Sequence, residues 1–190
     1  MKLLKNNKAL STVVTTLIIL VVSVLLATVV TFYAINVTTT RVQEENMLVN
    51  KLHIWYDTSG GWAEAGMVII NTGGKDFVID KIAVRGQESD WSDVYYWKTN
   101  TQTISADLNK TSTELSGTSY DMSATFTYQG STNFTQATSD VTVKSGYTLV
   151  AYVRSPDTVS ISDVGVTIGV TIHTMNAQYY KECNVEAPQA

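Results

Sequence analysis

The chain of 190 residues contains one cysteine, Cys183, and only two prolines, Pro156 and Pro188. A single cysteine excludes an intramolecular disulfide and a zinc site built from several thiolates. Any folded domain must therefore be stabilised by its own core or by association with other chains. No glycine or proline precedes Gly60, so nothing before that position is a strong helix breaker.

Acidic residues are absent from the first 40 positions, where the only basic residues are Lys2, Lys5 and Lys8. After residue 40 the chain has ten Lys or Arg and seventeen Asp or Glu, a net charge of −7. A surface of this charge repels phosphate backbones, and the sequence shows no basic patch with interleaved aromatic residues. We therefore expect no binding of nucleic acid.

Residues suited to catalysis or metal binding are few. The two histidines, His53 and His173, lie within strand-like patterns, and neither has the serine or cysteine and carboxylate of a nucleophilic triad in a supporting arrangement. Together with Cys183 and Met175 they supply the ligand types of a blue-copper site. Such sites usually place Cys, His and Met on one loop, and no His or Met follows Cys183. We expect no enzyme activity, no metal and no cofactor.

A long apolar run, "VVTTLIILVVSVLLATVVTFYAINV", occupies residues 13–37, and no charged residue occurs from Ala9 to Thr40. The run exceeds the roughly 7–15 apolar residues of a secretory signal peptide and reaches the ~20 needed to cross a bilayer. Helix-forming residues continue in "RVQEENMLVNKL", so we predict one helix over residues 10–50. A membrane anchor and a helix used for assembly both remain compatible with this pattern.

The junction "NNKALSTVV" precedes the apolar run. With Lys8, Ala9, Leu10 and Ser11 at positions −2, −1, +1 and +2, it resembles the class III signal peptide of archaeal type IV pilins and archaellins. The resemblance implies that residues 1–9 stay on the cytoplasmic side and are removed by a prepilin peptidase between Ala9 and Leu10. Bacterial pilins usually carry glutamate at the fifth mature position, here Val14, and archaeal members commonly lack it.

The pattern changes to short alternating strands near residue 51, beginning with "KLHIWYD". We predict further strands around residues 68–70, 94–97, 124–128, 141–143, 147–153 and 164–173, separated by recurrent glycine turns. The predicted fold class is α+β: a long N-terminal hydrophobic helix followed by an immunoglobulin-like sandwich of about seven to ten strands over residues 51–190.

This second part also resembles archaellins and archaeal pilins. "VIINTGGKDFVIDKIAV" is similar to their hairpin of two apolar strands around an Asn-x-Gly turn, "VKSGYTLVAYVRS" to their glycine-led strand, and "DVGVTIGVTIHT" to their last core strand. The Ser/Thr-rich stretch of residues 89–138 lies outside the resemblance, and we expect it to be an exposed insertion.

The resemblance implies a lollipop-shaped pilin subunit, a structural protein of an archaeal type IV pilus that mediates adhesion. Its partners would be copies of itself in a helical homopolymer, the prepilin peptidase, an assembly ATPase and a membrane platform protein. The precursor would lie in the cell membrane, and the mature protein would be extracellular in the filament. Two alternatives stay open: an archaellin of a motility filament, and a surface β-domain held by a single membrane anchor.

Three N-x-S/T sequons begin at Asn36, Asn109 and Asn133, which makes the protein a candidate glycoprotein. Asn109 and Asn133 fall in the polar middle stretch and are predicted to be accessible. Asn36 lies in the predicted helix, where neighbouring subunits would cover it.

Overall fold

The structure is a computed structural model that describes residues 7–42, 44–101, 104–122 and 133–187. The chain divides into two compact units, the first ending at Gln43 and the second beginning at Glu44. The first is an apolar helix and the second is a β-domain. The predicted strand at residues 124–128 falls outside the described residues.

The helix, α1, spans Asn7–Val42 and confirms the predicted N-terminal helix. It ends before the predicted limit at residue 50, because Met47 to Asn50 pair with Asn71 to Val68 of a neighbouring strand instead. Met47 is 5 % exposed in that arrangement. Sheet pairing and burial outweigh the helix propensity of this segment, as tertiary context commonly does.

The β-domain has eleven strands among its described residues. They are β1 (Met47–Asp57), β2 (Trp62–Asn71), β3 (Phe77–Val84), β4 (Gln87–Glu88), β5 (Val94–Thr99), β6 (Ser119–Asp121), β7 (Asn133–Gln136), β8 (Val141–Val143), β9 (Thr148–Arg154), β10 (Thr167–Thr174) and β11 (Gln178–Glu186). Two short 3₁₀ turns, Trp91–Asp93 and Ile161–Asp163, complete the described regular structure.

These strands form one continuous mixed sheet in the order β4-β3-β10-β11-β1-β2-β9-β5-β7-β6, with β8 pairing to β3. Neighbours in the described part of the sheet are antiparallel except β1 and β11, which are parallel. The sheet curls into a half-barrel, because side chains from both of its ends bury into one core. The central members of that core are Ile54, Ala65, Met67, Ile69, Phe77, Ile79, Ile82, Val153, Val170 and Ile172.

The segment "VIINTGGKDFVIDKIAV" forms two strands and a turn as predicted, but it does not form a hairpin. β2 pairs with β1 and β9, whereas β3 pairs with β10, β4 and β8. The turn instead carries the chain across the core from one part of the sheet to another. Asn71 holds it there, since its Nδ2 donates to the carbonyls of Lys75 (2.9 Å) and Val143 (3.0 Å).

A second core lies on the other face of β2, β5 and β9, where Tyr95, Val150 and Tyr152 are buried. It is covered by residues 104–115, here named the strap, which bury Leu108 and Leu115 against it. The expectation of an exposed insertion over residues 89–138 is corrected in part: Leu108 and Leu115 are buried, although many described residues around them are exposed. Ser and Thr dominate its composition, but a few widely spaced apolar side chains suffice to dock it.

The first residues of the β-domain, Glu44 to Asn46, are tied to its turns. The carbonyl of Asn46 accepts hydrogen bonds from the backbone N–H groups of Thr72 (3.0 Å) and Gly73 (3.1 Å). A Cβ atom at Gly73 would stand 2.5 Å from the Glu44 carbonyl oxygen and 2.6 Å from the Asn46 nitrogen. Glycine is therefore required at this close approach of two backbones.

We predict that Gly73→Ala destabilises the β-domain by roughly 1–3 kcal/mol, because the clash is with backbone that cannot rotate away. The matched control is Gly169→Ala, where the atoms nearest to the added carbon belong to the exposed side chain of Tyr180. Urea unfolding of the full chain, followed by the fluorescence of its four tryptophans, measures both. Equal losses for the two variants would contradict the explanation.

Candidate functional site

Most serine and threonine hydroxyl groups along α1 are satisfied by the helix itself. Six of them, on Thr15, Ser23, Thr28, Thr31, Thr39 and Thr40, donate to the carbonyl four residues earlier at 2.7–2.9 Å. A polar group in an apolar medium is unfavourable unless it is hydrogen-bonded. These Ser and Thr residues therefore add small volume to the helix surface without adding unsatisfied donors.

The surface of α1 is apolar and exposed along its length. Every Val, Leu, Ile, Phe and Tyr side chain over residues 13–37 is 43–71 % exposed. The stretch Ser11–Thr40 is long and apolar enough to cross a membrane. One face forms a shallow apolar groove, here named the helix groove, lined by Val24, Ala27, Thr28, Thr31, Phe32 and Ile35. Small side chains in its middle allow another helix to approach closely.

The predicted processing residues fall at the start of α1. Lys8, Ala9 and Leu10 lie in the helical segment, but their side chains are outside the described part of the structure. Ser11 is exposed, and its carbonyl accepts the hydroxyl of Thr15 at 2.9 Å. Val14 is 50 % exposed.

The strap is held to the sheet by charged side chains that sequence reasoning did not single out. Lys51, in a β-bulge of β1 with φ of 47°, donates from Nζ to the carbonyls of Ile104 (3.0 Å), Ser105 (2.7 Å) and Ala106. A left-handed backbone conformation is unfavourable for lysine. Here the residue that adopts it is the one whose side chain is hydrogen-bonded to the strap.

Further along β1, His53 stacks on Trp55 with 5.3 Å between ring centroids. Its two ring nitrogens lie 3.1 Å from Asp107 Oδ1 on the strap and 3.2 Å from Glu186 Oε1 on β11. This histidine therefore joins the strap, β1 and β11, and its ring contacts have a structural role.

The centre of the strap lies on a buried carboxylate. Glu64 of β2 is fully buried, and its Oε2 accepts hydrogen bonds from the Thr111 hydroxyl (2.7 Å) and backbone N–H (3.2 Å). Its Oε1 has no partner among the described residues. Burial raises the pKa of Glu64 to about 7, although the Thr111 hydrogen bonds and the charge of Lys110 oppose this. A glutamate within the apolar strand "WAEAGMVII" is the sequence signal that could have found it.

Lys110 completes the attachment through an ion pair with Asp57. The Oδ1 atom of Asp57 also accepts the backbone N–H groups of Ser59 (2.8 Å) and Gly60 (2.9 Å). Lys110 and these hydrogen bonds hold the pKa of Asp57 well below its ordinary value. Asp57 is therefore ionised at neutral pH.

The sequons differ in their surroundings. Asn36 lies in α1 and is exposed in the isolated chain. Asn109 lies on the strap with an exposed side chain, yet Thr111 of the same sequon is buried. Asn133 begins β7, and both it and Thr135 are exposed.

The four residues with copper-ligand chemistry are not assembled into one site. Along the β10–β11 ladder Cys183 pairs with Ile168, whereas His173 pairs with Gln178. Five residues of strand separate these two rows, about 16 Å at ~3.3 Å per residue. Burial and the nearby Glu186 raise the pKa of Cys183 to about 11, which disfavours the thiolate that binds metals. His53 contacts Asp107 and Glu186, and Met175 is 68 % exposed beyond the end of β10.

A polar cleft of about 210 Å³ lies between the β3–β4 region and the residues after β9. Two of its acidic side chains have partners: Asp93 pairs with Arg154, and Asp157 Oδ2 accepts from Gln87 Nε2 at 3.1 Å. Among the described residues no group of three or more His, Cys, Asp or Glu is arranged to hold a metal ion. The most extended exposed apolar surface among the described residues is that of α1.

No protein-family model matches the chain, and no curated protein matches it. Among solved structures the chain is similar to a copper-bound PCuAC domain from PmoF2, with 15 % identity over 77 % of this chain and 100 % of that chain, at a TM-score of 0.34. A TM-score at this level supports no conclusion about fold or function, and the copper is a property of that domain.

We predict that Glu64 makes the β-domain less stable as pH rises from about 4.5 to about 7. Below this pH window the Glu64 carboxyl is neutral in both the folded and the unfolded protein. Above it the folded protein bears the full free-energy cost of a buried, ionised carboxylate. The effect is at most roughly 3 kcal/mol, at 1.36 kcal/mol per pKa unit. Glu64→Gln should flatten this part of the pH profile, as measured by urea unfolding at pH 4.5 and pH 8.

Glu114→Gln is the control, since Glu114 lies on the strap but is exposed. The stability of Glu114→Gln should depend on pH in the same way as that of the wild-type protein. A Glu64→Gln profile that follows the wild type would show that Glu64 does not titrate in this window.

Proposed function

We propose that this chain is the precursor of a structural subunit of an archaeal type IV pilus, an extracellular helical filament used for adhesion. The observation that carries the proposal is α1: 36 residues long, uncharged from Ser11 to Thr40, and apolar on every side. A soluble monomer rarely exposes a contiguous apolar surface of this extent. The helix needs a partner that is also apolar, first lipid and then copies of itself.

The length of α1 supports assembly over simple anchoring. The 30 residues of Ser11–Thr40 extend about 45 Å at ~1.5 Å per residue, which exceeds the ~30 Å of a hydrocarbon core. Packed against neighbouring helices, the whole apolar length can be kept from water, at about 25 cal/mol per Å². The small residues of the helix groove and their internally bonded hydroxyls favour such packing.

In this proposal the precursor inserts into the cell membrane with Lys2, Lys5 and Lys8 on the cytoplasmic side. A prepilin peptidase cuts between Ala9 and Leu10 and removes the charges that would oppose extraction from lipid. An assembly ATPase and a membrane platform protein drive extraction, which is otherwise unfavourable. Contacts repeated with a rotation that does not close give an open helical polymer.

The β-domain is proposed to be the immunoglobulin-like head of the subunit, facing the extracellular medium. Its sheet buries one core between its two ends and a second beneath the strap, so it needs no disulfide to hold together. Its acidic surface and exposed sequon asparagines suit an aqueous exterior.

Two alternatives share parts of this argument. An archaellin would use the same helix in a motility filament. A singly anchored surface domain is favoured by one observation, that among the described residues α1 is the one helix long and apolar enough to cross a membrane. The anchored domain would keep its N-terminal lysines and would never polymerise.

We predict that the mature protein begins at Leu10 and that Lys8→Glu blocks both cleavage and filament formation, because the peptidase motif loses its positive residue. Lys5→Glu is the matched control and should be processed. N-terminal sequencing and electron microscopy of sheared surface material measure the two outcomes. A wild-type product that still begins with Met1 would instead favour the anchored domain.

We predict that Ala27→Asp abolishes filaments. An aspartate at the centre of an apolar helix costs about 2.5–3.5 kcal/mol per copy, and Ala27 lies in the helix groove. Ala27→Ser, which adds a hydroxyl that the helix can satisfy, should still assemble. Tryptophan-detected unfolding should be the same for both, since the tryptophans lie in the β-domain. Filaments of normal length from Ala27→Asp would exclude close packing at this face.

A further inference from the structure

The sequon Asn109-Lys110-Thr111 lies at the centre of the strap, and the fold engages all three of its residues. N-glycosylation requires a hydroxyl at the third position of the sequon, so the transferring enzyme must contact that hydroxyl. We propose that Asn109 is an N-glycan acceptor only before the strap docks, and that the folded domain carries but cannot receive a glycan there.

The recognition hydroxyl is hidden in the folded domain. Thr111 is 0 % exposed, and its hydroxyl donates to Glu64 Oε2 at 2.7 Å. Its backbone N–H donates to the same oxygen at 3.2 Å. An enzyme that reads this hydroxyl must first break the contact with Glu64 and lift the strap from the second core.

The other two residues of the sequon also hold its backbone in the docked conformation. The carbonyl of Asn109 accepts a hydrogen bond from the hydroxyl of buried Tyr152 at 3.0 Å. Lys110 is paired with Asp57 and lies over the ring of Trp62, 5.3 Å from its centroid. The tripeptide therefore cannot adopt a new backbone conformation while the strap stays in place.

The side chain of Asn109, by contrast, is exposed. A glycan on its amide nitrogen would extend into solvent and would leave the contacts of Lys110 and Thr111 intact. Modification followed by docking is therefore sterically possible, whereas docking followed by modification is not. The sequon at Asn133 differs because its hydroxyl residue, Thr135, is exposed.

The test compares acceptor activity in the folded chain and in the free sequence. Purified full-length protein in detergent and a synthetic peptide of residues 104–115 are incubated with an oligosaccharyltransferase and its lipid-linked donor. Occupancy of Asn109 is followed by mass spectrometry of glycopeptides. We expect the peptide to be modified and the folded chain to react at least about tenfold more slowly, since reaction needs local opening of the strap.

Two variants that loosen the strap sharpen the comparison. Lys51→Met removes the bonds to three strap carbonyls, and Tyr152→Phe removes the bond to the Asn109 carbonyl. Both should raise the modification rate at Asn109 without raising it at Asn133. The matched control is Lys98→Met, since Lys98 also donates to a backbone carbonyl, that of Thr142, but away from the strap.

A folded wild-type chain modified at Asn109 as fast as the peptide would overturn the proposal. So would a peptide that is not modified, or strap variants that behave like Lys98→Met. The experiment requires no filament, so its failure is separate from any failure of the proposed assembly. Unfolding curves of each variant distinguish local release of the strap from global loss of the fold.

Discussion

The constraint on which the molecule depends is an apolar helix surface that water cannot solvate favourably. From Ser11 to Thr40 the helix has no charge, and its serine and threonine hydroxyls largely bond back to its own carbonyls. The helix therefore needs few hydrogen-bonding partners from outside, but its large apolar surface needs an apolar environment. Lipid and other apolar helices are environments that meet this need, and the proposed life cycle moves the helix from lipid into a filament of identical helices.

The β-domain has the opposite character, since it buries its apolar side chains and has no intramolecular disulfide. It does so by using both faces of the same strands. One face closes on the far end of the curled sheet, and the other is covered by the strap. The strap has few apolar residues, so Lys51, His53 and Glu64 add polar attachments around its buried leucines. These attachments confine ionisable groups and make the fold sensitive to pH at Glu64.

Much of the secondary structure could be read from periodicity. The helix and the strands β5, β8, β9 and β10 lie where alternation and glycine turns indicated them. Which strands pair with each other was harder to predict from the sequence. Two apolar strands joined by "NTGG" suggested a hairpin, but they lie on opposite sides of a core. Local sequence specifies that a strand forms, whereas its partner depends on where distant strands such as β9 and β10 bury their own apolar faces. The strap was missed for the same reason, since its polar composition concealed two anchoring leucines.

What the sequence by itself determined is the division into a helix that needs an apolar environment and an acidic β-domain, because charge and apolar periodicity are local properties of the chain. The motif around Lys8 and Ala9 belongs to this level, as do the sequons. Only the tertiary structure decided that Thr111 is buried on Glu64 while Asn109 faces solvent, and that the copper-type residues His173 and Cys183 lie apart. The physical reason is that burial and distance depend on contacts between residues far apart in the chain, which no local pattern records.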